Sequence, residues 1–384
     1  MPNITTFDEL LIILGALYLF ECLAWLPWGA LAASRVPSFF RRPAMAMEFP
    51  SNGQGGMAVG SLLPFGFVFF ADLPALALSP EGVVGESACH PHPEHRTQGT
   101  GQVFRWDELA QARAKGRAVM VGGQALVDGI SLEAARKLAV FLRRTAARPE
   151  AGRNTHIQRH LARSLRSRDA HRRALRWGKA SAWPRTCATG AFLWLFAVVP
   201  AGEHGLLPVR DWLMLVAGFF AWHLAAAITL PALHRSFFPA QRGNRIKRTL
   251  TACLAPSAAM RSADSASHDL MAGLHPLAVA AGTCKPRAWR PLFGRIWRDA
   301  HHPLPPETAD PAGRRILAWH RTAWREELGA FAKRHGIVEK AIAIAPEAPG
   351  ESVRAYCPRC LSLFAKTGIR CDRCGGMPVS SVAA

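Results

Sequence analysis

Four cysteines near the end of the chain follow the pattern CxxC, ten residues, CxxC: Cys357, Cys360, Cys371 and Cys374. Two residues between partners let a knuckle offer both sulfurs to one ion. A hairpin of about ten residues can then bring two knuckles together as a tetrahedron. This spacing points to a metal site rather than a disulfide framework. The other five cysteines (Cys22, Cys89, Cys187, Cys253, Cys284) are scattered, which fits a reducing compartment. A second set of ligand types lies in ESACHPHPEHR, residues 86–96, where Cys89, His90, His92 and His95 fall close together. Cys and neutral His suit zinc or copper. Pro91 and Pro93 hold the stretch extended, which opposes convergence on one ion, and a solvated loop is the competing expectation. A third set is a carboxylate and an imidazole in apolar surroundings, Glu21 and His223. No HExxH, GxSxG or phosphate-cradling glycine motif occurs.

The knuckles CPRC and CDRCGG resemble the zinc-ribbon family over residues 356–376. The resemblance implies a structural Zn²⁺ held by the four cysteines, in a module that docks on protein or nucleic acid. Four thiolates leave no open coordination position, so such an ion would serve folding rather than catalysis. Iron or redox use of the four thiols is the alternative. Arg354, Arg359, Lys366, Arg370 and Arg373 make the module basic.

The elements that must position these groups include membrane spans. Residues 10–33 are almost wholly apolar and long enough to cross the hydrocarbon core as a helix. Residues 209–234 form a second span. The shorter stretch 186–201 precedes it across a brief linker, so the pair makes a helical hairpin. Residues 57–78 are also apolar, but Pro64, Gly66, Asp72 and Pro74 interrupt them. Counting them as a span would also export residues 143–185, which hold 13 Lys or Arg against two acids. Short basic stretches stay on the cytoplasmic side. The expected topology is therefore N-terminus outside, 34–185 inside, a tight external turn, and 235–384 inside. Glu21 and His223 then both lie about 16 Å deep at 1.5 Å per residue. A carboxylate at that depth costs about 2.5–3.5 kcal/mol on insertion scales, so it must be protonated or paired, with His223 as partner. The pair serves either as a packing hydrogen bond or as part of a proton, quinone or metal site.

The expected fold class is an α-helical integral membrane protein of about three transmembrane helices, with a mixed α+β cytoplasmic portion and a C-terminal zinc ribbon. The expected divisions are 1–34, first span; 35–150, an α+β region; 151–185, a basic amphipathic helix; 186–234, the hairpin; 235–345, a helical region; and 346–384, the metal module. Residues 44–100, rich in Gly and Pro, are expected to be irregular β structure. QVFRW, RAVMV and QALVD suggest strands, with Gly122–Gly123 as a turn and a helix capped by Ser131 after it. Asp310, Pro311 and Gly336 delimit a helix over 311–335.

Residues 153–177 suggest one basic helix in which Ile157, Leu161 and Leu165 share a face. Arg159, Arg163, Arg166, Arg172 and Arg173 are placed to meet anionic headgroups. The bland alternative is a helix packed on its own domain with solvated arginines. The net charge of +20, from 47 basic and 27 acidic residues, calls for a polyanion. These features together lead to an expected bacterial inner-membrane scaffold or accessory subunit whose cytoplasmic face binds protein partners and membrane lipids. A membrane enzyme or transport component using Glu21 and His223, and a membrane-tethered nucleic-acid binder, are the alternatives.

Overall fold

The computed structural model describes residues 29–30, 45–47, 57–62, 65–70, 75–86, 102–116, 118–127, 132–180, 182–204, 212–238, 270–283, 286–302, 310–338, 342, 346, 352–374 and 376–382. The strands in chain order are β1 (Gly29–Ala30), β2 (Met45–Met47), β3 (Met57–Leu62), β4 (Phe65–Phe70), β5 (Ala75–Leu78), β6 (Gly82–Glu86), β7 (Val103–Arg105), β8 (Arg113–Lys115), β9 (Ala118–Val121) and β10 (Gln124–Val127). The helices are α1 (Trp106–Leu109), α2 (Leu132–Ala146), α3 (Glu150–Ser164), α4 (Ser167–Ala180), α5 (Ala182–Leu193), α6 (Val199–Glu203), α7 (Trp212–Phe237), α8 (Pro276–Thr283), α9 (Pro286–His301) and α10 (Pro311–Arg334). Five short strands follow: β11 (Ala355–Tyr356), β12 (Leu363–Phe364), β13 (Arg370–Cys371), β14 (Met377–Pro378) and β15 (Ser380–Ser381). The chain divides into two packed units. One comprises 1–45, 59–67 and 171–271; the other comprises 46–58, 68–170 and 272–384.

The second unit includes two small antiparallel sheets and a helical layer. Strands β5, β6 and β7 pair in that order, and β8, β9 and β10 form a meander. Gly122 and Gly123 both take positive φ, 55° and 88°, and close the β9–β10 turn as their sequence suggested. Helix α10 lies on β5 and β6, where Ala77, Val84, Ile316 and Leu317 form one buried cluster. Two long-range polar contacts fix this layer: the Leu78 N–H donates to His320 Nδ1 (3.2 Å), and the Trp106 indole donates to the Ser79 carbonyl (3.0 Å). Helix α10 begins and ends where its sequence said. Asp310 Oδ1 accepts from the Ala312 N–H (2.9 Å), Pro311 occupies the first turn, and Gly336 takes φ +63° beyond the end. Helix α9 packs on α10 through Trp289 and Phe293, whose rings meet Phe331 at 5.8 and 5.6 Å.

The expected single helix over 153–177 is two helices. Ser164 ends α3 because its carbonyl accepts the His275 N–H (2.8 Å), a contact from more than a hundred residues away. In an unbroken helix that carbonyl would serve the N–H of Arg168. Ile157, Leu161 and Leu165 are fully buried, so the apolar face of α3 is used inside its own unit.

In the first unit, α5, a π-helical turn over Trp194–Val198 and α6 run on from one another, and α7 packs against them. The π turn lies just before Pro200, which has no N–H to give the Phe196 carbonyl. The two legs interlock by tryptophan on glycine. A Cβ at Gly190 would come within 2.8 Å of the Trp222 ring, and one at Gly218 would overlap Trp194. Four residues forward on one leg match four residues back on the other, as antiparallel packing requires. The stretch where a hairpin was expected, 186–234, thus contains helical legs packed antiparallel.

Among the described residues one helix, Ala217–Phe237, is long and apolar enough to cross a membrane by length and composition. Of the span expected over 10–33, only Gly29–Ala30 are described. They pair as a strand, so no helix extends through residue 29. Residues 57–62, 65–70 and 75–78, within the stretch rejected as a span, form strands β3 to β5.

Candidate metal centre

The four tail cysteines converge. Their sulfurs all lie within 4.8 Å of one another, and Cys360 Sγ is 3.6 Å from Cys371 Sγ. Cys357, Cys371 and Cys374 are buried, while Cys360 is exposed. The first knuckle hangs from β11 and β12, which pair Ala355 with Phe364 and Tyr356 with Leu363. Inside it the Cys357 N–H donates to the Ser362 carbonyl (2.9 Å), and the Leu361 N–H donates to the Cys357 carbonyl (2.8 Å). Leu361 takes φ +61° to make this turn. The second knuckle hangs from β13 and β14, with the Gly376 N–H donating to the Cys371 carbonyl (3.1 Å). Gly376 takes φ +86°. Each knuckle therefore ends on a left-handed residue. Glycine supplies one without strain; leucine supplies the other at a steric cost.

The module has almost no conventional core. Its buried cluster consists of Cys357, Cys371 and Cys374, with Phe364, Met377 and Val379 packed around them. A fold this small needs a crosslink. Burial raises Cys360, but hydrogen bonding from Ser362, whose Oγ lies 3.1 Å from the sulfur, and from Cys374 and Cys357 outweighs it and brings the thiol down to about 7. Burial and the neighbouring sulfurs push Cys371 up to about 11 and also raise Cys374. Negative charge on the neighbouring sulfurs opposes ionisation of Cys371 and Cys374. A divalent cation removes that opposition. For a metal–sulfur bond of about 2.3 Å, a tetrahedron has edges of roughly 3.8 Å, close to the separation found. The residues fit a four-sulfur metal site.

No family model, curated protein or solved structure matches the chain. The centre is therefore characterised by its own geometry.

The other candidate residues fare differently. Glu21 lies outside the described residues, as do Cys89, His90, His92 and His95. His223 is buried in α7, with its ring stacked on Phe219 at 5.8 Å. Arg159, Arg163, Arg166 and Arg172 are exposed. Arg173 is half-buried and donates to the Leu270 carbonyl (3.0 Å), which gives it a structural task.

Sequence reasoning missed the residues of α9 that meet the metal module. The Arg359 Nε–H donates to Asp299 Oδ1 at 2.7 Å, and the Arg298 Nε–H donates to the Arg359 carbonyl at 3.2 Å. The signal for α9 was present. Trp289, Leu292, Phe293, Ile296, Trp297 and Ala300 recur at helical spacing and are all buried. Pro291 interrupts the pattern, yet the helix runs through it.

Proposed function

We propose that this protein is a membrane-anchored scaffold or accessory subunit whose cytoplasmic part ends in a zinc-ribbon module. The anchor is the α5–α7 hairpin. One observation carries the reading. On α7 the large apolar side chains of Met214, Phe220, Leu224 and Ile228 are 64, 57, 56 and 61% exposed. At 3.6 residues per turn they occupy an arc of roughly 120°, opposite the arc that holds Gly218, Trp222 and Ala226 against the other leg. In water such a continuous apolar face is a liability; against acyl chains it is solvated. The basic stretches flanking the hairpin favour the cytoplasm for both of its ends. Zinc is favoured for the tail because four sulfurs within 4.8 Å of one another suit it as thiolates and leave no position for chemistry. A saturated centre supports a structural role, and the exposed arginines of α3 and α4 support contact with anionic lipid.

The test uses the full chain expressed in bacteria. It should stay in the membrane pellet through alkaline carbonate and carry one zinc per chain, which Cys371→Ser removes. A C-terminal tag should resist an impermeant reagent in intact cells. Release by carbonate, or labelling from outside, overturns the reading. Glu21→Gln should leave partner copurification intact, since a scaffold does not use that carboxyl group.

A further inference from the structure

The first metal knuckle is held from outside the module. Arg359 stands between Cys357 and Cys360, and its side chain turns to helix α9. There it pairs with Asp299, each side chain only 13% exposed. Arg298, the preceding residue of α9, returns a hydrogen bond to the Arg359 carbonyl. The knuckle is thus gripped by both its side chain and its main chain. Helix α9 carries Arg287, Arg290, Arg295 and Arg298 but only one acid, Asp299. Asp299 is the acid on this otherwise basic helix that answers Arg359, so the pair fixes where the knuckle seats. Arg359 also meets the last turn of α9, where the helix dipole favours a cation.

The platform does not depend on the metal. Helix α9 is seated by Trp289, Phe293 and Ile296, buried against its own unit. The knuckle is what needs the ion, because its turn places Leu361 at positive φ and crowds the sulfurs. Four thiolates around a divalent ion leave a net charge of −2, and Arg298 acts electrostatically on Cys360. Helix α9 therefore faces the loaded centre with complementary charge.

We infer that α9 belongs to the metal site: Asp299 and Arg298 are positioning residues that hold the Cys357–Cys360 knuckle in its metal-binding form through Arg359. Metal binding and docking of the C-terminal module then strengthen each other, since coupling between two binding events is reciprocal. Outer-shell groups of this kind change metal affinity about 10- to 100-fold. The inference rests on the reading of the four cysteines as a zinc site.

The experiment measures Zn²⁺ affinity of the full-length protein in detergent by competition with a chromophoric chelator. Hydrogen exchange over 355–364 is followed with zinc and after stripping. Asp299→Asn and Arg298→Gln should each bind one zinc at saturation but about 10-fold more weakly. Asp299→Glu, which keeps the charge, should retain most of the affinity. Lys366→Gln, an exposed charge on the same module, should change nothing. Exchange over 355–364 should rise when zinc is stripped from the wild type, and also in zinc-loaded Asp299→Asn. Affinities of both α9 variants within twofold of wild type overturn the inference and leave the zinc site standing. A wild-type chain that binds no zinc ends the zinc reading and this inference together.

Discussion

The glycines of the hairpin give a prediction whose sign discriminates. Replacing Gly218 by Ala puts a methyl group onto the Trp194 ring, with the indole nitrogen only 2.8 Å away. Overpacking of this kind costs about 1–3 kcal/mol. Against it stands the helix propensity of alanine over glycine, about 1 kcal/mol in favour of the variant. The clash should win, because the group that must yield is a rigid indole wedged between helices. A net loss of up to about 2 kcal/mol follows for Gly218→Ala. Gly190→Ala should behave alike, since its Cβ would meet Trp222 at 2.8 Å. The assay is thermal unfolding of the full chain in a mild detergent, followed by near-ultraviolet circular dichroism. Trp194→Ala introduced into Gly218→Ala should recover part of the loss, an interaction term that the single variants alone cannot give. If Gly218→Ala instead raises the midpoint, the methyl group meets open space and the interlocked hairpin is wrong.

Other consequences follow from the same structure. Leu361→Gly removes a left-handed strain of about 1–2 kcal/mol at the cost of roughly 0.5–1 kcal/mol of chain freedom. Zinc should then leave severalfold more slowly, whereas Leu361→Val should release it faster; the opposite order in a chelator chase would contradict the knuckle geometry. His160, lowered to about 3 by burial and by nearby His156, Arg163 and His320, and His275, lowered to about 3 by burial, are neutral when folded. Below the unfolded value of 6.5 only the unfolded chain takes up their protons, so their contribution is complete above pH 6.5 and declines toward pH 3. The loss approaches about 1.4 kcal/mol per pH unit for each ring. The urea midpoint should fall clearly between pH 7.5 and 5.0, and less so in His275→Gln; a flat profile would speak against the buried neutral rings. Vesicles containing anionic lipid should retain the detergent-exchanged wild type more strongly at low salt than a variant with Arg159, Arg163, Arg166 and Arg172 all changed to Gln. Equal retention would leave the α3–α4 arginines as solvated surface.

What the chain disclosed before folding follows from the range of the forces involved. The cysteine cluster was legible because both knuckles are local and their spacing alone brings four sulfurs together. Helix α10 was legible because Asp310, Pro311 and Gly336 act within a turn of its ends. The β9–β10 turn was legible because two adjacent glycines have few other uses between strands. The break between α3 and α4 was not legible, since the His275 N–H that takes the Ser164 carbonyl comes from a distant segment. The Asp299–Arg359 pair was hidden for the same reason, being 60 residues apart in the chain. The tryptophan–glycine interlock lay between these cases. Both glycines were visible in apolar helices, but which ring each would receive depends on the register of the hairpin.

The account stands most directly on the face of α7 that carries Leu224. A nitroxide attached in its place, in the full chain reconstituted into lipid vesicles, reports whether acyl chains or water surround it. Collisions with oxygen should exceed those with a water-soluble nickel chelate, and Phe220 and Ile228 positions should agree. Dominant nickel collisions at Leu224 would put that face in water and remove the membrane anchor.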